Sequence, residues 1–238
     1  MYLWFLAAVL AYFIKGLCGF ANTLVFTSVL SFRVENANIS PIDLLIGYPS
    51  NVILAWKYHK KLDPNIYLPL VGLVLAGSIP GVFLLKHVNA TSIKVVFGIV
   101  VIVLGMQMLL KEYSSKTMQL PKFILALIGI LSGVLCGLFG VGALLATYVG
   151  CVTNDTDTFK ANLSAVFIVD NTVRLILYSC LHIPTMNTVK MSLLLFPFAL
   201  LGLWAGMKCS NLLNEKHIRI LTSILLVISG VSLILKNI

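Results

Sequence analysis

The stretch Ile14–Leu24, "IKGLCGFANTL", decides the fold. It lies within an apolar run from Tyr2 to Phe32, where a lysine, two glycines and an asparagine interrupt what would otherwise be one long helix. A single helix over those 31 residues would run about 46 Å, too long for a hydrocarbon core of about 30 Å without steep tilt. Two arms of about 13 residues would each span about 20 Å. That arithmetic predicts a re-entrant hairpin turning at the glycines.

The stretch has a counterpart in the second half. "GLCGF" at Gly16–Phe20 aligns with "GLFGV" at Gly137–Val141, and "SNVILAWKY" from Ser50 with "DNTVRLILY" from Asp170. Gly77, Gly81, Gly105 and Lys111 match Gly202, Gly206, Gly230 and Lys236 at a constant spacing of 125. An internal duplication of this kind is a mark of transporter architecture. The expected organisation is a first membrane repeat, 1–113, with hairpin 2–32 and helices 41–57, 65–86 and 92–111. A second repeat, 114–238, follows with hairpin 121–152 and helices 162–181, 187–208 and 217–236.

Composition agrees with a membrane setting. Of the 238 residues, 59% are hydrophobic and 11% charged, against roughly 25% charged in soluble domains; mean hydropathy is +1.01. No separate soluble domain fits, and the first fifteen residues, without a basic n-region or small-residue cleavage site, read as mature protein. The net charge of +9 comes from residues scattered over short loops, which argues for retained cytoplasmic loops and against nucleic acid. With each long segment folded back on its own side, Lys57, Lys60, Lys61, Lys111, Lys116, Lys122, Lys160, Lys208, Lys216 and Arg219 share one face, and the basic loop residues divide 10 against 5. Each repeat then has three crossings, an odd number, so the two are inverted relative to one another. The expected class is an all-α polytopic membrane protein of two inverted repeats, each a re-entrant hairpin plus three transmembrane helices.

Inverted-repeat transporters bind substrate near the midplane, where broken helices meet. Unpaired N–H groups at a helix N-terminus, together with the helix dipole, make an anion seat. The first break would offer Gly19, Phe20, Ala21, Asn22 and Thr23, its second arm starting near Gly19; the second break would offer Gly140, Val141, Gly142 and Ala143. Lys15 is expensive at this depth, at least about 2.5 kcal/mol on insertion scales, so it needs a partner. That partner is either an anionic substrate or an internal acid, Asp43 or Asp170. Arg174 and Asp170, four apart on one helix face, either neutralise each other or act separately, Arg174 gripping an oxyanion and Asp170 taking up a coupling proton. Asn51 and Asn171 hold equivalent polar positions and join the candidate binding set. Pro49 reads equally as a simple kink re-satisfied by Ser50.

Gly77, Gly81, Gly202 and Gly206 read as close helix packing. The five cysteines, Cys18, Cys136, Cys151, Cys180 and Cys209, lie in or beside apolar segments without metal-ligand spacing, so no disulfide framework, metal site or cofactor is expected. Cys18 and Cys136 beside the breaks read as small packers; sulfur-transfer chemistry would need a base that neither has nearby. No histidine falls in a crossing and no P-loop is present, so the chain reads as a transporter driven by an ion gradient or exchange, not as an enzyme.

The glycine-rich turns "KGLCGFANTLVF" and "GVLCGLFGVGALL", each followed by a polar-centred helix, and "GSIPGVFLLK" resemble the sulfite exporter TauE/SafE family, also described as 4-toluene sulfonate uptake permeases. The resemblance covers essentially the whole chain. Where that family usually has Gly-x-Gly-Gly-Gly and a proline, this sequence has "GFANT" and "GVGAL", with Thr27 and Tyr148 near the proline position. The resemblance implies a permease of small sulfur-containing anions such as sulfite, sulfonates or sulfoacetate, in the bacterial plasma membrane. The residues themselves indicate an anion without specifying sulfur, which leaves an anion channel or a carboxylate transporter as alternatives. The expected partners are a small anionic substrate, the lipid bilayer and a coupling proton or ion. Assembly as a homodimer is left open.

Overall fold

The computed structural model describes residues 2–30, 36–84, 122–140, 142–153, 155–181 and 183–237, with isolated positions between 95 and 110. Among the described residues the chain is helical and contains no strand. The helices are α1 (Tyr2–Cys18), α2 (Asn22–Leu30), α3 (Asn36–Lys57), α4 (Pro64–Leu84), α5 (Lys122–Phe139), α6 (Ala143–Val152), α7 (Thr156–Cys180), α8 (Met186–Leu212) and α9 (Glu215–Asn237). A short 3-10 turn, His59–Lys61, joins α3 to α4. Three described helices, Pro64–Phe83, Thr156–Cys180 and Met186–Leu212, are long and apolar enough to cross a membrane. The expected helix over 92–111 falls largely outside the described residues, although Gly98 and Gly105 lie within van der Waals reach of α9.

Both long segments break at the glycines. Gly19 adopts φ +87° and Gly140 φ +72°, a left-handed conformation that costs an L-residue roughly 1–2 kcal/mol and glycine little. Gly19 N–H donates to Lys15 O at 2.7 Å, and Gly140 N–H to Cys136 O at 2.8 Å. Each first arm therefore ends in the same single-bond left-handed cap, which satisfies one of its last carbonyls. The second arms start later than the sequence predicts. Val25 N–H donates to Ala21 O and Ala146 N–H to Gly142 O, so α2 begins at Asn22 rather than near Gly19, and α6 at Ala143.

The first segment is a hairpin. The Trp4 and Phe26 rings meet edge-on with centroids 6.0 Å apart, whereas two collinear arms would hold these residues about 30 Å apart. In the second segment α5 and α6 likewise pack on each other. The hairpins are exchanged between the halves: α1 packs mainly on α8, and α5 mainly on α4.

Small residues make those two interfaces. A Cβ on Gly206 would lie 2.0 Å from Phe13 O, on Gly202 2.4 Å from Val9 O, and on Gly16 2.4 Å from Leu203 O. On the other side, a Cβ on Gly77 would lie 2.1 Å from Ile130 O, on Gly81 2.6 Å from Val134 O, and on Gly133 2.1 Å from Val74 O. Without a hydrophobic drive between helices in lipid, this backbone-to-backbone approach supplies the attraction through dispersion. Gly77, Gly81, Gly202 and Gly206 thus sit where close packing was expected. Gly16 and Gly137, quoted with the turns, belong to the same interfaces, and only Gly19 and Gly140 make the bends.

α7 starts earlier than expected because Asp155 caps it: its carboxylate accepts from Thr158 N–H at 2.9 Å, satisfying an orphan donor of the first turn. This brings Lys160 into the helix. It is a correction, since Lys160 was counted among the loop charges, yet it is fully buried. Its Nζ donates to Gly16 O and Ser210 Oγ, and its stem passes under the first break, 2.8 Å from where a Gly19 Cβ would be. A cation at the C-terminus of α1 complements the helix dipole there.

Candidate functional site

The two breaks open onto one pocket of about 460 Å³, counting its open mouth. α1 and the first break contribute Lys15, Ala21, Asn22 and Thr23 to its wall, and α3 contributes Ser40, Asp43, Gly47 and Asn51. From the other half come Gly140 and Gly142 at the second break, and Phe167, Asn171 and Arg174 on α7. Elements from the two halves of the chain therefore meet at this pocket.

Two buried cations line this pocket. Lys15 is 2% exposed; its Nζ reaches Gly47 O at 3.4 Å and lies 5.6 Å from the Tyr12 ring centroid. Among the described residues no carboxylate is within ion-pair distance of it, so neither Asp43 nor Asp170 is a close ion-pair partner. Arg174 is 3% exposed and donates through Nη2 to Tyr178 Oη at 3.3 Å, while its Nε has no hydrogen-bond partner. Its guanidinium rests on the second break: a Cβ on Gly140 would be 3.1 Å from Nη2 and 3.2 Å from Nη1. Glycine at this turn is required twice, by φ and by that contact.

Asp170 and Arg174 make no direct hydrogen bond, although their charges lie near enough to interact. Asp170 is buried, off the pocket wall, and neither carboxyl oxygen has a hydrogen-bond partner; the neighbouring Ser78 Oγ is likewise unpartnered. The four-residue spacing puts both side chains on one face, but Arg174 extends toward Gly140 and Tyr178.

Asn22 and Thr23 reach the pocket but not as free donors. Asn22 Nδ2 donates to Asp43 Oδ1 at 3.1 Å and Oδ2 at 3.3 Å, and the Thr23 hydroxyl donates to Oδ2. Tyr12 Oη donates to Oδ1 at 2.9 Å. Asp43 thus sits at the N-terminus of α2 where the sequence reading placed a ligand. Among the described residues, the backbone N–H groups of Asn22, Thr23 and Leu24 donate to no backbone carbonyl, as expected of the donors a helix start leaves unpaired.

Of the remaining expected residues, Ala21 lines the pocket at φ +71°, and Asn51 and Asn171 line it as well, with Asn51 Oδ1 unpartnered. Gly142 is pressed by Phe167, whose ring would stand 2.1 Å from a Cβ there. Gly19 and Phe20 are not on the wall: Gly19 packs on Lys160, and Phe20 is buried against Phe159 with ring centroids 5.9 Å apart. Val141 lies outside the described residues. Cys18 and Cys136 are buried in the apolar core. Sequence reading missed Asp43 as a wall residue, along with Gly47 and Phe167. The signal for Asp43 was present, because an acid within a crossing is a candidate site by default.

Residues 4–233 match the family model described as Sulfite exporter TauE/SafE. The chain belongs to the sulfite exporter TauE/SafE family. Members are membrane transporters and not enzymes, and the apolar helices here fit a membrane protein of that kind. No curated protein and no solved structure matched the chain. The TauE/SafE assignment spans both breaks, α3 and α7, so all four elements around the pocket are family elements.

Proposed function

We propose that this TauE/SafE member is a multi-pass secondary transporter of small sulfur-containing oxyanions, such as sulfite, sulfonates or sulfoacetate, across the bacterial plasma membrane. The observation that carries the reading is a single pocket, walled by both helix breaks, into which two buried cations point. A buried cation without a partner is costly, and an anion in the pocket supplies the missing charge. In this reading Lys15 and Arg174 hold the anion from opposite halves. The N–H groups opening α2 and α6, with Gly140 and Gly142 allowing close approach, complete its hydrogen bonds. Asn51 and Asn171 set its orientation. Alternating access follows if the two inverted repeats move against one another about this pocket.

Reconstitution tests it. Proteoliposomes loaded with unlabelled sulfite or 4-toluenesulfonate are expected to take up the labelled anion by saturable counterflow, and Lys15→Ala to abolish that uptake. Single-channel currents would favour an anion pore instead. Counterflow of carboxylates with neither sulfur anion transported would keep the mechanism and overturn the substrate class.

A further inference from the structure

One carboxylate competes with the substrate for its own site. The donors holding Asp43 are Tyr12 Oη, Asn22 Nδ2 and the Thr23 hydroxyl. Two of them, Asn22 and Thr23, line the pocket beside Asp43 itself. An oxyanion seated against them would draw on the donors that Asp43 uses. The two negative groups would then share a small buried volume, a like-charge arrangement that favours protonation of one of them.

The titratable and charged groups around Asp43 are Tyr12, which donates to it from α1, and the cations Lys15 and Arg174 on the pocket wall.

Resting on the transport reading above, we infer that Asp43, rather than Asp170, is the proton-coupling group: one proton binds its carboxylate as one anion displaces it from Asn22 and Thr23. Asp43 lies on the pocket wall among the contested donors, whereas Asp170 does not line the pocket.

The test is calorimetry of anion binding to the purified full chain in buffers of different ionisation enthalpy, across pH, with 4-toluenesulfonate and with sulfite. 4-Toluenesulfonate has no titratable proton in this range. Wild type is expected to take up about one proton per anion, its affinity weakening about tenfold per pH unit above the midpoint. Asp43→Asn is expected to lose that uptake, and subtracting it from wild type removes sulfite's own ionisation. Should Asp43→Asn not fold, Tyr12→Phe removes one donor to the carboxylate and is expected to move the midpoint of proton uptake. Anion binding without proton uptake, uptake retained in Asp43→Asn, uptake lost in Asp170→Asn alone, or an unmoved midpoint in Tyr12→Phe would overturn the assignment and leave the transport reading standing. Absence of binding by both anions, with no counterflow, would bring down the transport reading itself.

Discussion

The Arg174 guanidinium lies against the Cα of Gly140, so close that a Cβ there would be 3.1 Å from Nη2. A cation from α7 is thereby laid across the second helix break. Gly140→Ala must both strain a φ of +72°, costing about 1–2 kcal/mol, and push the guanidinium away. The expected outcome is a modest loss of thermal stability with anion counterflow reduced at least tenfold. Counterflow at the wild-type rate would mean that Arg174 does not hold the anion.

Gly47→Ala separates occupancy from folding. Its methyl would meet only ordinary contacts, and alanine within α3 favours the helix by up to about 1 kcal/mol over glycine. Melting temperature should hold or rise while the KM for anion uptake increases. A higher melting point with unchanged uptake would remove Gly47 from the anion's path.

Lys15→Met keeps the length of the side chain and removes its charge. A lysine at this depth costs at least about 2.5 kcal/mol, so the variant should resist heat better than wild type. A charge-assisted hydrogen bond to substrate is worth about 1.5–3 kcal/mol, so anion affinity should fall at least tenfold. The two readouts should move in opposite directions, as at other strained functional sites.

Gly206→Ala and Gly77→Ala test the exchanged interfaces. Each methyl would run into a backbone carbonyl, at 2.0 Å from Phe13 O and 2.1 Å from Ile130 O. Backbone cannot swing aside as a side chain can, so each variant should lose about 1–3 kcal/mol, read as lower melting temperature and poorer yield of monodisperse protein. Normal stability in either would disprove the close contact.

Asp155 contributes a pH-dependent cap outside the spans. Burial alone would raise its pKa, but the Thr158 hydrogen bonds and the nearby Lys61 outweigh it and hold the carboxyl below its usual range. With the folded pKa depressed, its stabilisation is present above the unfolded pKa, near 3.9, and is lost as pH falls through the folded value. Asp155→Ala should cost about 1 kcal/mol at neutral pH. The gap in melting temperature from wild type should close below about pH 4, and a constant gap would exclude the carboxylate as the cause.

Much of the pocket was legible because its ingredients break local rules. A lysine, two glycines and an asparagine inside an apolar run mark the first break, and Gly137–Val141 repeats the pattern, so Lys15, Ala21, Asn22, Thr23, Gly140 and Gly142 could be named in advance. Arg174 stood out as a cation in a crossing. Gly19 and Phe20 were placed on the wall because backbone donors were counted from the glycine. The left-handed cap delays the helix start to Asn22, which turns those two residues inward onto Lys160 and Phe159.

What the sequence determined by itself is local and periodic: the apolar lengths, the glycine breaks and the two matching halves, because bilayer thickness and backbone sterics act on each segment separately. Tertiary structure alone decided which polar groups meet. Asp43 takes the donors of α2 across a 21-residue separation; Arg174 lies against Gly140 without a hydrogen bond to Asp170; and Lys160, read as a loop charge, is buried beneath Gly19. Each outcome depends on distances between helices, which are set by glycine contacts such as Gly206 on Phe13. Spacing along the chain carries no record of them.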